Sequence, residues 1–135
     1  MPIVRIDIQS GKSTEYKRAV LHGVRDAIVT ALSVDGERVM LRIIETPAED
    51  IDITANRSDA LTIIEVSMLS GRGADLKGRM YEGIVANLAA DPGIHARDIM
   101  VMVSDPSAEC FALGGVMQCT LAPNPHVGDD DDREV

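Results

Sequence analysis

Residues 3–14 read IVRIDIQSGKST, and this stretch decides the fold. Its first seven residues alternate between apolar and polar side chains, which is the period of a β-strand with one buried face. A turn follows, and Ser13 or Thr14 can then cap a helix whose apolar residues recur at helical spacing as far as Leu32. A second strand is predicted over residues 39–45, which are rich in β-branched side chains. The stretch and its continuation therefore predict one β-α-β unit.

The same unit occurs again sixty residues further along the chain. Residues 63–74 read IIEVSMLSGRGA, and a constant shift places Gly11-Lys12 on Gly71-Arg72 without a gap. Strands are predicted over residues 61–69 and 99–103, and the apolar stripe between them predicts a second helix. Each parallel crossover is right-handed, so both helices cover the same face of the sheet. The sequence therefore predicts an α/β (α+β) fold of two fused β-α-β units, with a four-stranded sheet and two helices on one face.

The other face of this sheet has no helix to cover it. We expect that face to be apolar and to pack on further copies of the chain. A single domain is expected over residues 1–123, with pseudo-repeats 2–59 and 60–121 and a short hairpin at Gly114-Gly115. Within residues 124–135 a block of acidic residues follows Pro123 and Pro125, which predicts an acidic flexible tail.

Composition excludes several classes of function. The net charge is −9 and no basic stretch alternates with aromatic residues, so nucleic acid is not an expected partner. No apolar run is long enough to cross a bilayer and no signal peptide precedes the first strand, which predicts a cytoplasmic protein without a membrane partner. The histidines and cysteines lack the spacing of metal ligands, and no complete dinucleotide-binding motif is present. We therefore expect neither a metal nor a cofactor.

Pro2 is a candidate for proton chemistry. Removal of Met1 leaves a secondary amine, and an α-amino group titrates at about 7.7–8.0 in model peptides. Because Pro2 leads directly into the first predicted strand, the sheet would hold its nitrogen in place. Lys12 and Arg72 each lie in a turn just before a helix N-terminus, where a cation and free backbone N–H groups suit a carboxylate or phosphate ligand.

Residues 71–78, GRGADLKG, and residues 111–115, FALGG, resemble the tautomerase superfamily. The resemblance to 4-oxalocrotonate tautomerase covers residues 2 to about 121 as two copies, with Lys12 where the family has arginine. Among the fused two-copy members, the chain is similar to malonate semialdehyde decarboxylase and cis-3-chloroacrylic acid dehalogenase. This resemblance implies a homotrimer that acts on a small carboxylate-bearing substrate.

The resemblance also implies roles for individual residues. Pro2 would be the general base and acid of a cofactor-free tautomerase or isomerase that acts on a small 2-oxo acid or its enol. Arg72 would hold the substrate carboxylate, with Lys12 as its counterpart in the first unit. Phe111 matches an aromatic residue that lines the family's pocket, and Leu113 would line it as well.

The family's strand arginine falls on Met40 in this chain. Arg38 and Arg42 flank that position at two-residue spacing, which places both on the same face of a strand, and one of them is inferred to substitute as a substrate-binding residue. Glu37 aligns with the acidic residue of the decarboxylase, where it would activate water or polarise a carbonyl. Ser70 stands where the decarboxylase has a second arginine.

Two alternatives to the tautomerase reaction stay open. One is a decarboxylase or hydratase of small 3-oxo or unsaturated acids, which would depend on Glu37 and a protonated Pro2. The other is a catalytically inactive oligomeric binding protein, since a fold does not determine a function. Retention of Met1 would favour that second alternative, because it blocks the amine.

Overall fold

The computed structural model describes residues 2–118. Strand β1 spans Ile3–Gln9, as the alternation predicts, and helix α1 spans Thr14–Leu32. Ser13 is the N-cap of α1, and its side-chain oxygen accepts a backbone N–H from the first turn. Strand β2, over Met40–Thr46, completes the first unit.

The second unit repeats this order. Strand β3 spans Thr62–Ser67, helix α2 spans Ala74–Ala90, and strand β4 spans Ile99–Ser104. The expected hairpin follows, with β5 over Ala112–Leu113 and β6 over Val116–Met117. Its turn consists of two glycines with positive φ, which is the backbone region that favours glycine. Met1, the end of the expected domain and the acidic tail at residues 124–135 lie outside the described residues.

The four long strands form one mixed sheet in the order β2-β1-β3-β4. Within each unit the two strands are parallel, whereas the central strands β1 and β3 are antiparallel. In the central pair Ile3 lies opposite Ser67, and Ile8 lies opposite Thr62. The start of the first unit therefore lies at the same end of the sheet as the β3–α2 turn, while the β1–α1 turn lies at the opposite end.

Both helices cover one face of the sheet, as predicted, and the core lies between the two layers. The helices approach closely where Gly23 and Gly83 occupy equivalent positions of α1 and α2. A Cβ added at Gly83 would lie 3.3 Å from the Cβ of Ala27, and one at Gly23 would lie 3.2 Å from a Leu88 side-chain carbon. The fully buried aliphatic side chains of this core are Val4, Ile6, Val20, Val24, Ile28, Ile64, Val66, Ile84 and Leu88.

Corresponding ion pairs demonstrate the internal repeat. Lys17 Nζ lies 3.1 Å from a carboxylate oxygen of Glu45, and Lys77 Nζ lies 2.6 Å from one of Asp105. Both members of the second pair follow those of the first by sixty residues. Each pair joins a helix to the end of the following strand of the same unit, so the two units use the same contact.

The structure corrects three details of the predicted fold. β2 begins only at Met40, because Gly36–Arg38 form a 3-10 turn, so Arg38 does not share a strand face with Arg42. β3 ends at Ser67 instead of residue 69, opposite Ile3 at the start of β1. The uncovered face is not wholly apolar, because it carries a group of charged side chains: Arg5, Asp7, Arg42 and Glu65.

Candidate active site

Pro2 is buried where the chain enters β1. Its carbonyl oxygen accepts a hydrogen bond from the Met40 backbone N–H at 3.0 Å, which joins it to the start of β2. The antiparallel register brings the end of β3 to its other side. The bond to β2 therefore holds the carbonyl group of Pro2, and the end of β3 lies on the other side of the chain at this point.

The β3–α2 turn lies at this same end of the sheet. Gly71 has a φ of 118°, so the turn needs a residue without a side chain there. The Ser70 backbone N–H donates to the Pro106 carbonyl at 3.0 Å, and the Lys77–Asp105 pair joins the start of α2 to the end of β4. These contacts hold the loop that carries Arg72.

Arg72 is half-buried, and one guanidinium nitrogen donates to the Leu69 carbonyl at 3.2 Å. No carboxylate within residues 2–118 forms an ion pair with it. Burial lowers its pKa, because the charged form has lost part of its hydration. Gly73, the N-cap of α2, supplies no side-chain acceptor to the first turn of the helix. A desolvated cation beside a helix N-terminus is a favourable place for a carboxylate.

Glu37 and Arg38 lie at this end of the sheet as well. They belong to the 3-10 turn that precedes β2, and Asp35 caps that turn by accepting the Glu37 backbone N–H at 3.0 Å. Both side chains are exposed. The turn is followed directly by β2, whose first residue, Met40, donates its backbone N–H to the Pro2 carbonyl. The turn therefore brings the Glu37 carboxylate and the Arg38 guanidinium to the end of the sheet where Pro2 lies.

Two predicted substrate-binding residues lie elsewhere within the chain. Lys12 is at the opposite end of the sheet, with its Nζ 3.9 Å from a carboxylate oxygen of Asp59 and 5.7 Å from the centroid of the Tyr16 ring. Arg42 lies on the uncovered sheet face, directly beside Arg5 in the register of β1 and β2. Within one chain, neither Lys12 nor Arg42 therefore lies at the end of the sheet where Pro2 and Arg72 are found.

The predicted pocket-lining residues belong to the hairpin after β4. Phe111 is half-buried, and its carbonyl accepts the Gln118 backbone N–H at 2.8 Å. Leu113 is exposed at the end of β5. The hairpin follows the edge strand β4, whereas Pro2 precedes the central strand β1, and β3 lies between these two strands.

A buried carboxylate at the opposite end of the sheet was not predicted from the sequence. Asp98 is 1% exposed and accepts two hydrogen bonds from Ser58, at 2.8 Å from the backbone N–H and 2.7 Å from the hydroxyl. Burial alone would raise the pKa of Asp98, but the bonds from Ser58, together with the charges of Arg97 and His95, hold it below the ordinary value. This contact fastens the linker between the two units to the sheet. The sixty-residue repeat could have pointed to this site, because the repeat relates this end of the sheet to the end where Pro2 lies.

Metal ligands and membrane spans are both absent from the described part of the chain. Across residues 2–118, no three His, Cys, Asp or Glu side chains come together as a metal site would require. Neither of the two long helices in that range has the length and apolar composition of a membrane span.

Comparison with known proteins adds independent information. A family model described as a tautomerase enzyme matches residues 50–114. The probable tautomerase YusQ of Bacillus subtilis (strain 168) is 21% identical over 119 residues, which covers 84% of this chain and 94% of that protein.

Solved structures agree with this match. FG41 malonate semialdehyde decarboxylase, inhibited by 3-bromopropiolate, is 26% identical with a TM-score of 0.75, over 83% of this chain and 88% of that one. The F6 fused 4-OT, an asymmetric trimer, is 21% identical with a TM-score of 0.79, over 90% of this chain and 99% of that one. The family model, the curated relative and the fold agree, and all three show that this chain is similar to proteins of the tautomerase superfamily.

Proposed function

We propose that this chain is a cofactor-free tautomerase that interconverts a small 2-oxo acid and its enol. One observation carries the proposal: the buried Pro2 lies at the same end of the sheet as the half-buried Arg72. Arg72 has no carboxylate partner within residues 2–118. The proposed proton-transfer group and the proposed anion-binding group thus lie at one end of the sheet, although they come from different halves of the chain.

In the proposed reaction, Pro2 begins the mature chain and its nitrogen carries a lone pair. Arg72 binds the substrate carboxylate through paired hydrogen bonds, which orients the enol toward the amine. The Pro2 nitrogen accepts the proton of the enol hydroxyl as the C2=O bond forms. The resulting ammonium then donates that proton to C3, so one proton moves and the amine is regenerated. Glu37 and Arg38 contribute to the electrostatics of this edge.

A decarboxylase is the second candidate, and the 26% identity to a malonate semialdehyde decarboxylase favours it. In that reaction a protonated Pro2 donates a hydrogen bond to the carbonyl oxygen of a 3-oxo acid. The carboxyl carbon leaves as carbon dioxide, the bonding electrons form an enolate, and a proton completes the product. Arg72 and Glu37 would bind and polarise the same substrate.

The proposed enzyme is a homotrimer. The F6 fused 4-OT forms an asymmetric trimer, and in the present chain no part of residues 2–118 forms a layer over one face of the sheet. In such an assembly Phe111 and Leu113 of the hairpin would line the pocket of a neighbouring copy. We also propose that residues 1–123 form the single folded domain.

Mass spectrometry of the intact protein, followed by kinetics, tests the proposal. We expect a mass without Met1 and ketonisation of phenylenolpyruvate by the purified protein. Pro2→Ala should lower kcat by at least about a hundredfold, which is the lower end of the usual contribution of a general base. Arg79→Ala, which removes an exposed guanidinium from the outer surface of α2, serves as the matched control and should leave turnover unchanged.

Two other results would lead to different conclusions. Release of carbon dioxide from malonate semialdehyde, without ketonisation, would support the decarboxylase instead. Retention of Met1 together with no turnover of either acid would contradict both enzymatic proposals and leave a binding protein.

A further inference from the structure

The start of the turn that carries Arg72 is fastened to the end of β4. The backbone N–H groups at the two ends of residues 68–70 donate to the carbonyls at the two ends of residues 104–106, at 2.9 and 3.0 Å. Between the two donors lies Leu69, whose carbonyl accepts the Arg72 guanidinium at 3.2 Å. The position of that guanidinium therefore depends on residues 104–106, which accept the two backbone bonds.

An ion pair holds those accepting residues against α2. Asp105 is the middle residue of the segment 104–106, and one of its carboxylate oxygens lies 2.6 Å from Nζ of Lys77. Lys77 lies in the first turn of α2, where its backbone N–H donates to the Gly73 carbonyl at 3.3 Å. Arg72 therefore lies on a short stretch of chain whose two ends are both tied to this segment.

The charges of the pair are balanced within the chain. The Lys77 side chain is 24% exposed and that of Asp105 is 40% exposed. The hydrogen bond and the charge of the Lys77 ammonium lower the pKa of Asp105, so the carboxylate is ionised at neutral pH. Because Asp105 balances its charge, Lys77 is not a second anion-binding group beside Arg72. A partly exposed pair also adds little to global stability, so its main effect is on the order of the turn.

We propose that Lys77 and Asp105 are positioning residues, which keep the turn of Arg72 in the arrangement that binds a carboxylate. The proposal rests on the proposed function, in which Arg72 binds the carboxylate of the substrate. Without the pair, the turn would adopt this arrangement for only part of the time, and the apparent affinity falls by that fraction. Bound substrate restores the arrangement, so the turnover at saturation stays unchanged.

The first β-α-β unit contains the same arrangement at the opposite end of the sheet. Lys17 Nζ lies 3.1 Å from a carboxylate oxygen of Glu45, and the Ser10 backbone N–H donates to the Thr46 carbonyl at 2.9 Å. This pair holds the turn that carries Lys12 instead. Lys17→Met therefore removes an equivalent ion pair at the end of the sheet opposite the candidate site, and it is the matched control.

Ketonisation of phenylenolpyruvate is measured for the wild type, Lys77→Met, Asp105→Asn and Lys17→Met. We expect KM to rise about tenfold in the first two variants with kcat almost unchanged, as for a turn that is correctly arranged a tenth of the time. Lys17→Met should leave both constants unchanged. Asp105→Glu, which copies the lysine–glutamate pair of the first unit, should restore most of the affinity. Calorimetric titration with phenylpyruvate, the keto product, should show the same weakening of binding.

A second pair of variants connects the effect to the guanidinium. In an Arg72→Met background, Lys77→Met should cause no further rise in KM, because the group that it positions is gone. A purely structural role would instead lower kcat in proportion to the folded fraction and leave KM unchanged. Circular dichroism of each variant measures that fraction, and if Lys77→Met does not fold, Asp105→Asn provides the same comparison.

Four results would overturn the proposal. These are an unchanged KM in both Lys77→Met and Asp105→Asn, an equal rise in Lys17→Met, effects of Arg72→Met and Lys77→Met that simply add, and a wild type that binds no phenylpyruvate. Failure of the proposed function is a different result, in which the wild type binds the keto acid but does not ketonise the enol. The calorimetric comparison of the variants then still decides whether the pair controls binding.

Discussion

Replacement of Arg72 by Met separates binding of an anion from support of the fold. The variant keeps a long apolar stem but loses the guanidinium, its bond to the Leu69 carbonyl and its desolvation cost. One hydrogen bond from a charged donor contributes about 1.5–3 kcal/mol, and relief of the desolvation acts in the opposite direction. We therefore expect the free energy of unfolding of Arg72→Met to fall by no more than about 1–2 kcal/mol.

Activity should respond very differently. Two hydrogen bonds from a guanidinium to a carboxylate contribute about 1.5–3 kcal/mol each, or about 3–6 kcal/mol together. Their loss corresponds to a fall of about 10²–10⁴-fold in kcat/KM for the enol of a 2-oxo acid. The two quantities are measured by urea unfolding at pH 7 and by ketonisation kinetics, with Arg79→Met as the control for an exposed arginine on the helix that follows the turn.

A different pattern would refute the reasoning. If Arg72→Met lost several kcal/mol of stability and its activity fell only in proportion to the folded fraction, the guanidinium would be a structural group. Unchanged kcat/KM with unchanged stability would remove it from the site altogether.

Two further predictions concern the fold. Because the pKa of Asp98 is lowered in the folded protein, its carboxylate adds stability above its unfolded pKa of about 3.9, and this is lost as the pH falls through the folded value. Asp98→Asn should therefore cost about 1.5–3 kcal/mol at pH 7, with a gap that closes on acidification in urea titrations, whereas Asp52→Asn at an exposed position of the linker should leave the free energy of unfolding nearly unchanged. Between the helices, Gly83→Ala should lower the free energy of unfolding by about 1 kcal/mol, since its Cβ would press on Ala27, while Gly78→Ala on the same helix should raise it by about 0.5–1 kcal/mol because nothing lies within 4 Å. Equal effects of the two glycine variants in chemical denaturation would contradict the packing argument.

Local patterns were sufficient to predict most of the fold. The alternation in residues 3–9 and the repeated Gly-cation turns identified both units, because strand period and turn chemistry are properties of short stretches. The start of β2 was less accessible. Arg38 fits the alternation of the strand, but the Asp35 side chain stabilises a 3-10 turn instead.

Contacts between distant residues were harder to predict. Asp98 resembles an ordinary surface carboxylate in the sequence, and its burial depends on Ser58, forty residues away. In the candidate site, the sixty-residue repeat identified Arg72 as a cation before a helix. Its position at the same end of the sheet as Pro2 follows from the antiparallel pairing of β1 and β3. No short stretch of sequence determines the direction of β3 relative to β1. Lys12 was therefore predicted together with Pro2 and Arg72, although the structure places it at the opposite end of the sheet.

The antiparallel central pair has a consequence for the history of such a chain. Each end of the sheet contains residues from both β-α-β units. A half-length ancestor with one unit could therefore form such an end only by associating with a second molecule. Covalent fusion makes that encounter intramolecular and permanent. The two ends of the sheet are then no longer required to be alike: one holds Pro2 and the turn that carries Arg72, while at the other Asp98 binds Ser58 of the linker.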